Sequence, residues 1–272
     1  MSYRELAPPP PLASHVACLW WRTGAPPRIL PDGCADLVWT GAALIVAGPA
    51  TCAVVPRLPA DEPKLGVRFR VGAAGVALGL PAGELLDRSA PLGEIWADGA
   101  ELEERVAAAT DTRARFEVLA RAVAARLAHA PDPDPLVRAA VLDLGRPRTP
   151  IARLCERLAI SERQLRRRFE GAVGYPPRTL ARVLRLQRFL ALAAADGGEL
   201  ARLGVEAGYA DQPHLTRDCA ALAGLPAGAL AGRLGDRVAM LVAGSMATLG
   251  FLVCALARNT TTLALAITAL GG

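Results

Sequence analysis

"PIARLCERLAISERQLRRRFE", Pro150–Glu170, holds two short helical patterns with almost nothing between them. Ile151, Leu154, Cys155 and Leu158 recur at i, i+3, i+4 and i+7, which puts them on one buried stripe of a first helix. Pro150 suits the start of that helix, where a missing amide proton costs no intrahelical bond. Ser161 and Gln164 then stand three apart, the spacing at which each side chain accepts from the other's backbone amide, so a second helix is predicted after a very short turn. Leu165 and Phe169 give this helix its inner face, and Arg163, Arg166 and Arg167 face the other way, with Glu162 and Glu170 at the ends. Two tightly joined helices, the second with a narrow apolar stripe and an arginine-rich outer face, suit the insertion of one helix into a DNA major groove.

The arrangement recurs in "LARLGVEAGYADQPHLTRD", Leu200–Asp218. Leu200, Leu203 and Ala207 are expected inside, and Gly208 is placed to end the helix in a left-handed conformation. Asp211 is the expected N-cap of the next helix, with Gln212 at its first position and Pro213 in its first turn. Leu215 and Leu222 should face inward, and Gln212, His214, Thr216 and Arg217 outward. Between the copies, "RTLARVLRLQRFLALAA" reads as one continuous helix with Leu180, Val183, Leu184 and Leu190 packed and Arg178, Arg182 and Arg185 opposite. Two recognition helices joined by a rigid helix would meet successive major grooves, ~34 Å apart along the duplex.

Charge is distributed to match. Residues 1–145 carry fourteen basic and seventeen acidic groups, a net of −3, whereas residues 146–188 carry twelve arginines against Glu156, Glu162 and Glu170, a net of +9. A solvated helical face would show the same run, and an arginine-heavy composition also follows from a GC-rich genome; the helix punctuation in the same segment favours a polyanion footprint. Lys64 is the only lysine among 31 basic residues, so nearly all positive charge sits on planar guanidinium groups suited to phosphates and base edges. The six cysteines form no CxxC pair and have no metal-ligand spacing with His15, His129 or His214, which reads as reduced thiols in a cytoplasmic protein. The start, "MSYRELAPPPPL", shows no charged leader before an apolar core, so no secretion signal is expected.

The segment from about Pro150 to Leu230, with "ISERQLRRRFEGAVGYPPRTL" and "EAGYADQPHLTRDCAALAGLPAGAL", resembles the double helix-turn-helix module of the AraC/XylS family of bacterial transcription regulators. The resemblance implies that the outward residues of both recognition helices read bases. Carried over, they are Arg163, Gln164, Arg166 and Arg167, then Gln212, Pro213, His214, Thr216 and Arg217, where Pro213 offers only apolar contact. Arg178, Arg182 and Arg185 on the linking helix are expected to serve the phosphates. Cys219 stands where the family usually has phenylalanine, which implies a looser second core. Residues 199–230 hold only Arg202 and Arg217 against Glu199, Glu206, Asp211 and Asp218, so the first unit is expected to supply most phosphate affinity and the second to add discrimination.

Residues 1–130 are expected to form an α+β effector domain, 131–135 a linker, 136–230 the all-α DNA-binding domain and 231–272 a hydrophobic tail. "LGVRFRVG" alternates Leu65, Val67, Phe69 and Val71 with Gly66, Arg68 and Arg70, a half-buried strand. "ADLVW" and "ALIVAG" read as short strands, and past "PAGELLDRS" the pattern becomes helical, with Leu102, Val106, Phe116, Leu119, Val123 and Leu127 packed. "HAPDPDP", 129–135, marks the boundary. "LPDGCADLVW", "GVRFRVG" and "LLDRSAPLGEIW" resemble an uncharacterised domain that precedes such modules in actinobacterial regulators, which implies a sensor of an unknown small-molecule effector. Cys34 after a tight turn admits a thiol-sensor reading, but no adjacent His or Lys lowers its pKa, and a buried structural thiol is preferred. Trp20, Trp21 and Trp39 fit a core better than an aromatic pocket, and His15 reads as a surface residue.

Val238–Ala257 run twenty residues without a charge, the length of a membrane-spanning helix, and with "AGRLGDR" before it the tail resembles a fragment of a major facilitator superfamily transporter. A chimeric reading frame, an inner-membrane tether through 238–257 and a hydrophobic helix covering another surface all remain open. The expected function is sequence-specific transcription regulation on double-stranded DNA, with RNA polymerase and a second copy of the chain as further partners. No cofactor, metal or catalytic residue is expected; an alkylation-repair enzyme joined to such a module would need a zinc-binding cysteine cluster.

Overall fold

The computed structural model describes residues 3–232 apart from 25–26, 59–61 and 197; the stretch 238–257 lies outside the described residues. Six antiparallel strands make one sheet: β1 Tyr3–Leu6, β2 Val16–Arg22, β3 Asp36–Trp39, β4 Leu44–Ala47, β5 Lys64–Phe69 and β6 Ser89–Pro91, in the order β1-β2-β5-β3-β4-β6. Leu19, Leu37, Trp39, Leu65, Val67 and Phe69 point to one face. There they meet α1 Ala74–Leu78, α2 Gly99–Ala108 and α3 Thr112–Leu127 through Leu102, Val106, Phe116, Leu119 and Val123. Asp111 starts α3 by accepting from the Ala114 amide at 2.8 Å.

The alternation in β5 leads to a different outcome from the half-buried strand expected. β5 lies between β2 and β3, and its second face is covered too. Gly66 lies beneath the Trp20 indole, where a β-carbon would come within 2.6 Å of the ring, and the Trp20 indole N–H donates to Asp36 at 2.6 Å. Arg68 is closed in by Asp36 at 3.1 Å, Asp32 at 3.7 Å and Glu5 at 3.9 Å. Burial pushes the Asp36 carboxyl up, with Arg68 opposing. A period-2 pattern of small and charged residues reports one solvated face only when no neighbour supplies a lid and counter-charges.

Two other expectations change, at His15 and after Leu86, whereas Trp20 and Trp39 are buried as expected. The three tryptophans do not share a pocket: Trp20 lies on the outer face with Cys18 and Val38, whereas Trp39 and Trp21 face the α2–α3 layer. His15 is buried, between the Ser14 hydroxyl at 2.8 Å and the Pro131 carbonyl at 3.4 Å, so it fastens the sheet to the start of the linker. The segment after Leu86 includes β6, three residues ending in proline and too short to show a strand period. Cys34 is buried, and burial drives its thiol well above the ordinary range, which makes it a poor nucleophile.

Past residues 131–134, Asp134 caps α4, Pro135–Leu144, by accepting from Leu136 and Val137, and its other oxygen takes Arg168 at 2.5 Å. Then come α5 Ile151–Leu158, α6 Glu162–Ala172, α7 Pro177–Asp196, α8 Leu200–Ala207, α9 Gln212–Asp218, a π-helical turn Cys219–Ala223, and α10 Ala227–Gly232. Among the described residues no helix is long and apolar enough to cross a membrane.

Candidate nucleic-acid interface

α5 and α6 meet through Leu154, Cys155, Leu165 and Phe169, all buried, with Ile151 and Leu158 packed beside them. The turn between them needs the left-handed conformation at Ala159, φ 54°, which an L side chain adopts at a cost. Ala159→Gly is therefore expected to stabilise the protein by roughly 1 kcal/mol in urea unfolding, since glycine enters that region freely. A neutral or destabilising result would mean that the turn relaxes elsewhere. Ser161 and Gln164 complete the reciprocal cap: the Gln164 amide donates to the Ser161 hydroxyl at 3.2 Å and the Ser161 amide to the Gln164 carbonyl oxygen at 2.9 Å.

This cap aims the outer face of α6 into solvent. Arg163, Gln164, Arg166 and Arg167 are all exposed. Arg166 is tied along the helix to Glu170 at 2.7 Å, while neither Arg163 nor Arg167 has an ion-pair partner among the described residues. Arg178 at the start of α7 is exposed beside Glu162 at 3.8 Å.

The second unit repeats the plan with different fastenings. Gly208 ends α8 at φ 101°, and Asp211 caps α9 by accepting from the His214 amide at 2.7 Å, with Pro213 in the first turn. α8 and α9 approach closely because Gly204 carries no side chain: a β-carbon there would stand 3.1 Å from Leu215 Cδ2. Gln212, Pro213, Thr216 and Arg217 are exposed. His214 does not join them, because its ring stacks edge-on against Tyr209 at 5.1 Å, within 2.9 Å of Arg185 and 3.7 Å of Asp218.

Asp218, which the sequence reading counts only as one acidic charge, is the centre of that cluster. It is 4% exposed and accepts from Arg182 Nε at 3.0 Å, with another nitrogen of the same guanidinium at 2.8 Å and Arg185 at 3.6 Å. Arg185, its side chain 19% exposed, lies over the Tyr209 ring at 5.3 Å. The structure therefore places Arg182 and Arg185, expected to be free for phosphate, in a bond network between α7 and α9. A spacing of four from His214 to Asp218 was the available signal, but the partners on α7 are about thirty residues away. Arg188, also on α7, donates to the carbonyl of Gly145, just past α4, at 2.7 Å and to that of Ala207, the last residue of α8, at 3.1 Å; burial and Arg185 lower its pKa to about 10. Cys219 is fully buried where the π turn begins, so the widened backbone lies where the family resemblance implied a looser core.

Among the described residues no group of three His, Cys, Asp or Glu side chains is gathered to hold a metal. Residues 154–233 match the family described as a helix-turn-helix domain, and residues 4–91 match a domain of unknown function, DUF6597. No curated protein matches the chain. Among solved structures it is similar to apo ToxT from Vibrio cholerae strain SCE256, with 14% identity, 86% of this chain and 96% of that chain covered and a TM-score of 0.41. It is also similar to ToxT from Vibrio cholerae O395, with 11% identity, 80% and 97% covered and a TM-score of 0.41.

Proposed function

We propose that this chain, whose residues 154–233 match a helix-turn-helix domain, is a DNA-binding transcription regulator of the AraC type that reads two successive major grooves with the outer faces of α6 and α9. What carries the reading is the repetition of one plan, a capped short helix with an exposed polar face, on either side of the uninterrupted α7. In the first groove Arg163 and Arg167 are the groups free to reach guanine edges, and Gln164 the group suited to adenine. Arg166 must leave Glu170 to do the same. In the second groove Gln212, Thr216 and Arg217 face the bases, and Pro213 offers apolar contact to a thymine methyl. Arg178 serves a phosphate, while Arg182, Arg185 and His214 act as positioning residues for α9.

The sheet domain senses a small-molecule effector and biases DNA binding, acting in the cytoplasm with RNA polymerase and a second copy of the chain as partners. No step of this reading uses a cofactor or a catalytic residue.

Selection of bound genomic fragments by the full chain, followed by fluorescence anisotropy across a salt series, tests the reading. A selected duplex should bind far more tightly than its scrambled version, with log K falling by about 0.9 per neutralised phosphate for each unit of log salt. Equal binding to every duplex would overturn it. Arg167→Ala is expected to cost ~1–3 kcal/mol on the selected site and relax base choice at one position. Arg178→Ala should instead weaken all duplexes alike and reduce the salt slope by about 1. Indistinguishable effects of the two changes would remove the assignment of α6 to the groove.

A further inference from the structure

The segment between β2 and β3 leaves its own domain. Leu30, 5% exposed, is buried in the core of the second helix-turn-helix unit, with Leu186 and Leu190 of α7, Leu203 of α8 and Leu230 of α10. Arg28 reaches the Ala223 carbonyl at 3.4 Å, where the π turn ends. Three residues past Leu30, the same segment enters the first unit. Gly33, at φ 87°, lies against Leu180 and Tyr175, where a β-carbon would come within 2.9 Å of Leu180 Cδ1, and Cys34 belongs to the core that holds Leu165 and Phe169. One short strap thus touches both units.

Its hold on α7 is specific. Gln187 is 2% exposed in the middle of a helix face made of Val183, Leu186 and Leu190, and its amide donates to the Pro31 carbonyl at 2.6 Å. A buried amide without a partner is costly, and since the Gln187 carbonyl oxygen has no partner among the described residues, losing the Pro31 bond would leave the whole amide unpaired. The strap is also tied to its own domain, through the β4–β5 connection and through β5. The Ile29 and Val54 backbones exchange bonds of 2.7 and 2.9 Å, Asp32 accepts from the Cys34 amide at 2.9 Å, and its second oxygen stands 3.7 Å from Arg68.

We propose that residues 28–34 are a working part of the DNA-binding module: a brace from the sheet domain that completes the second unit's core and fixes α9 relative to α6. The inference rests on the two-groove reading above and adds to it that the second groove is read only with the brace seated. The sheet domain then controls discrimination without touching DNA, because any ligand that shifts the β2–β3 connection shifts α9. The boundary at 131–135 is consequently a boundary of the chain's course and not of its cores.

Two measurements on the full chain separate this inference from the reading it rests on. Hydrogen exchange without DNA reports the brace itself. Gln187→Met keeps an apolar helix face but releases Pro31, and exchange in residues 200–230 should accelerate about tenfold, which corresponds to ~1.4 kcal/mol, while residues 162–172 stay as in the parent. Hydroxyl-radical footprinting on the selected duplex reports the consequence. The parent should protect two successive segments, and the variant only the one covered by α6. Leu30→Ala should act in the same direction more strongly. Unchanged exchange in 200–230 for both variants would overturn the brace, as would faster exchange with both segments still protected. A parent protein that protects no pair of segments would instead count against two-groove reading and leave the exchange result to stand alone.

Discussion

Phe169→Ala should lower the stability of the first helix-turn-helix unit by ~3–5 kcal/mol and abolish selective DNA binding. The expectation follows from how little holds α6. Along its eleven residues only Leu165 and Phe169 are fully buried, and the outer face carries Arg163, Arg166, Arg167 and Arg168, which repel one another. The Ser161 cap contributes about 1 kcal/mol, and Arg168 adds a partly exposed pair with Asp134. Neither replaces the contacts of a buried ring that shares its core with Leu154, Val137, Tyr175 and Leu180. Urea unfolding followed by circular dichroism, run beside anisotropy on the selected duplex, tests this. Phe169→Leu keeps most of the volume and should cost less than about 1.5 kcal/mol, with selectivity retained. A loss below that size for Phe169→Ala would mean that α6 is held by something other than its apolar stripe, and the placement of the recognition face would need revision.

The parts legible in the sequence are those whose causes are local. A cap at Ser161 closed by Gln164, a left-handed end at Gly208 and a cap at Asp211 ahead of Pro213 are each settled within four residues, and each has the expected form in the structure. The same holds for the stripes that bury Leu154, Leu165, Phe169, Leu203 and Leu215. What was not legible depends on partners distant in the chain. The outer face of β5 reads as solvent-facing because Trp20, Asp36 and Glu5, which cover it, come from three other strands. Arg182 and Arg185 read as phosphate ligands because an arginine on a helix face looks the same whether DNA or a buried Asp218 is its partner. The strap is the extreme case. "LPDG" announces a turn correctly at Gly33, yet nothing near Leu30 signals that it completes a core more than 150 residues away. The inverse signal was there in Gln187, a polar residue on the packed side of α7, and it could have been read as a call for a partner.

Asp218→Ala should destabilise the second unit by about 3 kcal/mol while tightening nonspecific DNA binding. The stability loss comes from what stays behind. Arg185 is mostly buried over the Tyr209 ring, and with Asp218 gone neither it nor His214 retains the carboxylate that faces it. Removing one member of a buried ion cluster strands the others, which is where changes of ~3–5 kcal/mol arise. Arg182→Ala should be milder, at about 1 kcal/mol or less, because Arg182 is 44% exposed and Asp218 would still have Arg185. The gain in nonspecific binding has a separate origin. Asp218 puts a negative charge on the recognition helix itself, and its loss releases Arg182 toward phosphate. Salt separates the two consequences. Raising it to about 0.5 M shortens the screening length to a few ångströms and should remove the added nonspecific affinity, whereas the buried cluster is poorly screened and the stability difference should persist. Selectivity on the chosen duplex should fall at every salt concentration, since α9 loses the anchor that orients Thr216 and Arg217. If Asp218→Ala unfolded in urea like the parent and bound nonspecific duplex no more tightly, the cluster would neither hold α9 nor restrain Arg182, and both would return to the position of simple phosphate ligands.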